Sequence, residues 1–288
     1  MQEALTLGKD FLIVGSVHAR RVCRKFGFWE HDPLPYYWID PSGMGTLNPS
    51  IWILRLVRKV THLLKLKYKI HITNRTTSAL NRLLAPLTRR IFYPLLSHKL
   101  STYLQENHYR RVNQIRQELP EGIKRPSAEL HRGPEAINWM LSYPWVVQTG
   151  SSPTEEMDYY FSDTRPRHEF IAYELFDAHR EYCGFVVFQV SQKESATVLK
   201  TLDYAITDPN QYRQILAMAV DLGRKNDAIT IEIPLEVARS LQQGILGNII
   251  LQRKIRLYQC HPSSEESPLA RAWGDITLHL FDGDMAFS

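Results

Sequence analysis

Apolar residues are spaced in two ways along this chain, and the two alternate. Phe11-Leu-Ile-Val-Gly-Ser16 is a short apolar run behind Asp10, which predicts a buried strand. Val17 to Phe26 has helical spacing, with Ser16 placed to cap it and Gly27 to stop it. Pro35 to Asp40 predicts a second strand. Much later, Glu169 to Phe176 and Tyr182 to Val190 alternate around Asp177-Ala-His-Arg180, a hairpin pattern. Val198 to Ile206 predicts the next strand. Asp208 as cap and Pro209 in the first turn then start a helix that runs to about Lys225. Ala228 to Ile233 predicts a strand, Pro234 opens a short helix to about Gln243, and Ile249 to Gln259 and Asp275 to Phe281 close the set.

Between these two groups the pattern changes. Pro41 to Pro49 reads as a linker. In Ile51 to Ile70, Trp52, Leu56, Val60, Leu63, Leu64 and Tyr68 fall along one helical stripe. Thr77 to Gln105 predicts a second helical region, interrupted by Pro86 and Pro94, with Leu80, Leu83, Leu84, Leu87 and Ile91 as its buried face. Glu106 to Leu130 is polar and reads as helical or irregular. The fold class is α/β (an α+β mixed sheet) with a basic helical connector.

Charge sharpens this division. The 288 residues carry 35 Lys+Arg against 30 Asp+Glu, a net +5. Pro41 to Gln105 holds eleven of the cations and no carboxylate, so the rest of the chain is net −6 (24 against 30). Such a block calls for packing against acidic neighbours, for an anionic membrane surface, or for another anionic partner. No recognition motif or aromatic platform accompanies it, which argues against nucleic acid. An apolar content of 44% and a charged content of 23% suit a globular protein with sizeable cores. Cys23, Cys183 and Cys260 are scattered and odd in number, so neither a disulfide framework nor a thiolate metal site is expected. The N-terminus lacks the pattern of a signal peptide, and no apolar run of about 18 residues occurs. The expected compartment is therefore the cytoplasm, with peripheral membrane attachment through the basic helices as the variant.

Ser16-Val-His-Ala-Arg-Arg-Val-Cys-Arg-Lys-Phe-Gly-Phe28 resembles the late motif of the GNAT acetyltransferase superfamily, Asn-x-x-Ala-x-x-x-Tyr-x-x-x-Gly-Phe. Ala19, Gly27 and Phe28 match in register. Ser16 stands where the family prefers Asn beside the pantetheine arm, and Cys23 stands where many members have the Tyr that protonates the departing thiolate. The resemblance implies a cofactor-binding role for Ser16, Arg20 and Arg24 toward the phosphates of acetyl-CoA or another acyl-CoA. It implies a catalytic role for Cys23; a free thiol ordinarily titrates near 8.5 against about 10 for Tyr, but it is far shorter. Read from the residues alone, Cys23 is a small buried apolar side chain and the arginines are a solvated face.

Arg132-Gly-Pro-Glu-Ala-Ile-Asn-Trp-Met-Leu-Ser-Tyr-Pro144 is similar to a segment of a group of GNAT-like proteins, with Arg132, Glu135, Asn138, Trp139 and Pro144 matching. Trp139 reads as a core anchor. The ending from Trp273 to Asp284 resembles the same group. The resemblance implies a tandem protein: residues 1–48 as the C-terminal part of a first GNAT domain, 49–115 as a basic helical connector, and 116–288 as a second GNAT-like domain. The Gly-rich phosphate turn of the first domain would precede Phe11, where this chain has only ten residues. A strand without its usual neighbours also leaves an edge that invites association, a second copy included.

The implied function is an acyl-CoA-dependent N-acyltransferase (N-acetyltransferase) acting on an amine. A non-catalytic GNAT-like scaffold and a peripheral membrane adaptor are the alternatives. The turn from Ala205 to Arg213 has no glycine, Pro209 removes one backbone donor, and Asp208 would repel phosphate, so the second half is expected to lack the pyrophosphate cradle. Asp282 and Asp284 read as a surface turn, and no metal is expected.

Overall fold

The computed structural model describes residues 10–15, 17–42, 74–104, 108–123, 128–129, 133–142, 146–148, 163–193, 196–242, 245–274 and 276–277. Residues 43–73 lie outside this set, and with them the linker after Ser42 and the stretch Ile51 to Ile70.

Near the N-terminus, β1 (Phe11–Gly15) leads into α1 (Val17–Lys25), β2 (Trp29–Glu30) and β3 (Leu34–Ile39). Next come the long helix α2 (Asn74–Leu100), a 3₁₀ turn at Ser101–Tyr103 and β4 (Tyr109–Val112). After β5 (Ala128–Glu129), α3 (Pro134–Ser142), β6 (Val146–Gln148) and β7 (Asp163–Arg165), three long strands follow: β8 (Arg167–Phe176), β9 (Tyr182–Lys193) and β10 (Ala196–Ile206). Then come α4 (Gln211–Lys225), β11 (Thr230–Pro234), α5 (Leu235–Gln242), α6 (Ile245–Ile250), β12 (Leu251–His261), α7 (Pro268–Ala272) and β13 (Ile276–Thr277).

One mixed sheet of nine strands dominates. Its order is β1-β12-β3-β11-β10-β9-β8-β4, and β2 pairs with β12 beside β3. β8, β9 and β10 form an antiparallel meander. Asp177 Oδ1 closes the β8–β9 turn by accepting from the backbone N–H groups of His179 and Glu181. The chain then crosses through α4 and returns as β11, parallel to β10. On the other side of β11 lies β3, from the first forty residues. It is antiparallel to both β11 and β12, so Ile39 faces Ile231 on one side and Leu251 on the other. β1 also takes its partner from the far end of the chain, with Phe11 opposite His261 and Gly15 opposite Leu257.

The main core lies between this sheet and α4. Ile215, Leu216, Ala219 and Val220 of the helix pack on Val186, Phe188, Val190, Leu199, Ile231, Ile233 and Ile39. Removal of this much apolar surface from water is the principal stabilising term. Gly223 allows the close approach: a Cβ there would lie 2.6 Å from Ile231 Cδ1 and 3.1 Å from the Tyr93 hydroxyl. Tyr93 belongs to α2 and donates its hydroxyl proton to the Ala228 carbonyl at 2.6 Å, which fixes the long helix against α4 and the start of β11.

α2 corrects the expectation of an interrupted helix: it runs unbroken for 27 residues with Pro86 and Pro94 inside it. Each proline removes one backbone donor, and burial of Tyr93, Leu96 and Leu100 holds the helix in place around them. The Thr88 hydroxyl and the Arg89 side chain donate to carbonyls near the first proline, from Leu84 and Ala85. A second correction concerns Tyr109–Val112, expected as helical or irregular and found as an edge strand on β8. A smaller cluster of Ile115, Ile137, Ala172, Phe185 and Val187 fixes α3 to the sheet. There Asn138, not Trp139, is the anchor: Trp139 is 45% exposed. Asn138 accepts from Ile115 N–H at 2.7 Å and donates to Ile115 C=O at 2.8 Å.

Candidate functional site

Three places bear on function, and the first is α1. Gly27 ends this helix in the left-handed region (φ 79°), so that Phe28 turns inward and meets His261 of β12 edge-on at 5.1 Å. Cys23 is buried and its carbonyl accepts from the N–H groups of Phe26 and Phe28. Burial pushes the Cys23 thiol up, so it stays protonated at neutral pH. Arg20 and Arg24, one turn apart, converge on Glu30 of β2. Arg24 Nε lies 2.6 Å from Glu30 Oε1, and Arg20 bonds the other oxygen. The Arg20 hydrogen bond, reinforced by Arg24, lowers the Glu30 carboxyl to about 2. The two arginines expected at coenzyme A phosphates are thus brought together, on an internal carboxylate, beside the buried Cys23. Ser16 lies outside the described residues.

The second place is the turn from β10 into α4. Thr207 N–H donates to Cys183 C=O at 3.1 Å. Asp208 N–H reaches Gln211 Oε1 at 3.3 Å, and Asn210 N–H reaches Asp208 Oδ1 at 2.9 Å. The N–H groups of Gln211, Tyr212 and Arg213 turn back onto the carbonyls of Asp208, Pro209 and Asn210. Asp208 therefore braces the turn two residues before the boundary residue Asn210 and does not cap the helix. Every backbone donor from Thr207 to Arg213 has an acceptor within the chain, and a carboxylate stands among them. A phosphate finds no open donors here.

The third place was not foreseen. β10 and β11 pair over only three positions, ending at Lys200 opposite Glu232. No β10–β11 pairing occurs beyond that pair, while β10 continues along β9 through a register shift between Thr201 and Asp203. The registers align one row across the sheet: Gln189, Lys200, Glu232, Trp38 and Gln252. Gln189, Lys200 and Glu232 are buried at 0%, 5% and 7% exposure. Burial raises the Glu232 carboxyl, opposed by the charges of Lys200 and Arg256. Arg256 Nη2 lies 3.9 Å from Glu232 and 3.5 Å from the Tyr36 hydroxyl, and its guanidinium sits 5.0 Å over the Tyr36 ring. Lys254 Nζ lies 4.3 Å over the Trp38 ring. Alongside runs an open groove of about 720 Å³, lined by Pro33, Tyr36, Trp38, Arg253, Lys254 and Ile255.

Chemically, a buried carboxylate whose pKa burial raises above the ordinary carboxylate value, beside an ammonium group, is a candidate proton acceptor. The same row can also act structurally, as a paired polar layer that fixes strand register. A local signal existed in the sequence: Glu232 interrupts an apolar strand between Ile231 and Ile233, and Lys200 does the same after Leu199. Among the described residues no cluster of His, Cys, Asp and Glu could hold a metal ion, and no helix is long and apolar enough to cross a membrane. Asp282 and Asp284 lie outside the described residues.

No family model and no curated protein matches the chain. A crystal structure of a GCN5-related N-acetyltransferase from Anabaena variabilis ATCC 29413 is similar over 91% of this chain, at 9% sequence identity and a TM-score of 0.38. The match spans about half of that protein's length, 49%.

Proposed function

We propose that this chain is part of a GNAT-type N-acyltransferase that moves an acyl group, acetyl in the simplest case, from acyl-CoA to an amine. The observation that carries this reading is the strand–helix–strand unit of β10, α4 and β11, whose parallel pairing ends at the buried Glu232. In this reading Glu232 takes a proton from the acceptor ammonium. The neutral nitrogen then attacks the thioester carbonyl, the C–N bond forms, the C–S bond breaks, and coenzyme A leaves as a thiolate that must be protonated. By the resemblance at Ala19, Gly27 and Phe28, Cys23 is the donor of that proton and would be left as a thiolate; burial keeps the thiol neutral and protonated beforehand but makes it the weaker acid. Residues 1–48, expected as the late part of a first GNAT domain, contribute β1, β2 and β3 to the same sheet as the strands of 116–288, with 49–115 between them in sequence, so the two parts would act as one unit in this reading.

A second reading, a non-catalytic scaffold, is favoured by one observation: the self-bonded turn from Thr207 to Arg213. Titration of the full chain with acetyl-CoA, followed by calorimetry and by release of free thiol in the presence of primary amines, separates the two. Saturable binding weakened by Arg20→Ala and Arg24→Ala, with amine-dependent thiol release that Cys23→Ala slows, supports the transferase. No binding at millimolar acetyl-CoA assigns the scaffold.

A further inference from the structure

α2 shows two unlike faces. Tyr93, Leu96 and Leu100 are buried against α4 and the sheet, at 6%, 0% and 4% exposure. Leu83, Leu87, Ile91 and Leu95 are 75%, 57%, 54% and 53% exposed. They recur every fourth residue, so they form one stripe about 18 Å long on the side away from the core. Arg90 borders the stripe on one side and Lys99 on the other, and both are exposed. Asn74–Leu100 contains no Asp or Glu. Among the described residues, no ion pair joins a cation of α2 to a carboxylate.

We propose that this outer face of α2 docks on a lipid bilayer surface that carries anionic headgroups. Four large aliphatic side chains in line are more than a solvated helix needs, and they leave a continuous apolar patch in water. An aliphatic stripe with cations at both margins is the pattern of a helix lying in the plane of a membrane interface. There the stripe enters the acyl boundary while the long basic side chains reach up to phosphate. Charge complementarity selects this occupant over a second copy, because two such faces would bring cations together with no carboxylate on either helix. The surrounding sequence extends the same field: Pro41 to Gln105 holds eleven cations and no acid. Each cation near an anionic surface adds to the attraction, and salt weakens it.

The test is flotation of the full chain with phosphatidylcholine vesicles, with and without phosphatidylglycerol. The expected result is flotation with the anionic vesicles only, reduced by added salt. Leu87→Glu combined with Ile91→Glu should cut partitioning by about tenfold or more, since both the apolar contact and the charge sign change. A thermal melt of this variant matching the parent shows that the loss is local, as expected for exposed positions. Arg90→Gln combined with Lys99→Gln keeps the stripe and should weaken flotation while reducing its salt dependence. Equal flotation with neutral vesicles, no flotation with either, or parent-like flotation of the Leu87/Ile91 variant overturns the proposal. So does a lipid-free dimer, seen by light scattering, that the Leu87/Ile91 variant abolishes, because the stripe is then covered by a second copy.

Discussion

Replacing Asn138 with alanine should remove the device that locks α3 to the segment after β4. The amide accepts from Ile115 N–H at 2.7 Å and donates to Ile115 C=O at 2.8 Å, with Asn138 at 8% exposure and Ile115 at 3%. Two net hydrogen bonds amount to about 2 kcal/mol, and leaving both backbone groups buried without partners adds about 1 kcal/mol or more. A loss of about 3 kcal/mol is expected. In urea titration of a protein this size, the midpoint should fall by about 1 M at unchanged slope. Asn138→Asp is the informative companion. It keeps the acceptor for Ile115 N–H but sets a carboxylate oxygen against Ile115 C=O, and protonation at low pH restores a donor. Its deficit should therefore shrink as pH falls. An Asn138→Ala shift below about 0.5 kcal/mol, the range of ordinary surface changes, would refute the argument.

Gly223→Ala should destabilise despite the gain in helix propensity of about 1 kcal/mol. The new methyl meets Ile231 Cδ1 at 2.6 Å and the Tyr93 hydroxyl at 3.1 Å, and overpacking of this kind costs about 1–3 kcal/mol. Adding Ile231→Val removes the nearest atom and should recover part of the loss in a double-mutant cycle. Glu30 yields a pH signature. Its folded carboxyl is depressed to about 2 from an ordinary 4.5 by Arg20 and then Arg24. The contribution of the cluster is therefore complete above the ordinary value and disappears as pH falls toward the folded one. Glu30→Gln should remove that part of the pH dependence of the urea midpoint, and an unchanged acid limb would count against the cluster.

Most regular elements can be read from local pattern, because burial on one face enforces it. β1, α1 and β3 occur within a residue or two of their expected bounds, as do β8, β10, α4 and β11, while β9 runs three residues past its expected end at Val190 to Lys193. β4 escaped because it is a polar edge strand: Arg110 and Arg111 reach Glu174 and Glu169 of its neighbour at 2.6 Å each, so its cations look like solvated loop. The prolines of α2 mislead because local rules count the lost donor and not the burial of Tyr93 and Leu96 that outweighs it. The place of β3 was beyond any local signal. Ile39 pairs with Ile231 and Leu251 across about two hundred residues of sequence. The row through Lys200, Glu232 and Trp38 needs that pairing to exist: Glu232 and Lys200 each interrupt an apolar strand in the sequence, but only the register brings them together. The glycine-free turn was the reverse case: Pro209 and Asp208 announced it, and the hydrogen bonds of Thr207 to Arg213 explain it.

Glu232 as proton acceptor is the central claim, and the pH dependence of acyl transfer tests it most directly. Amine-dependent thiol release from acetyl-CoA should rise with pH through the raised Glu232 pKa. Glu232→Gln should abolish that limb and lower kcat/KM by about 10²–10⁴-fold, the usual contribution of a general base, with acetyl-CoA affinity unchanged. A Glu232→Gln chain whose pH profile and turnover match the parent, or a parent that releases no thiol with any primary amine, would contradict the account.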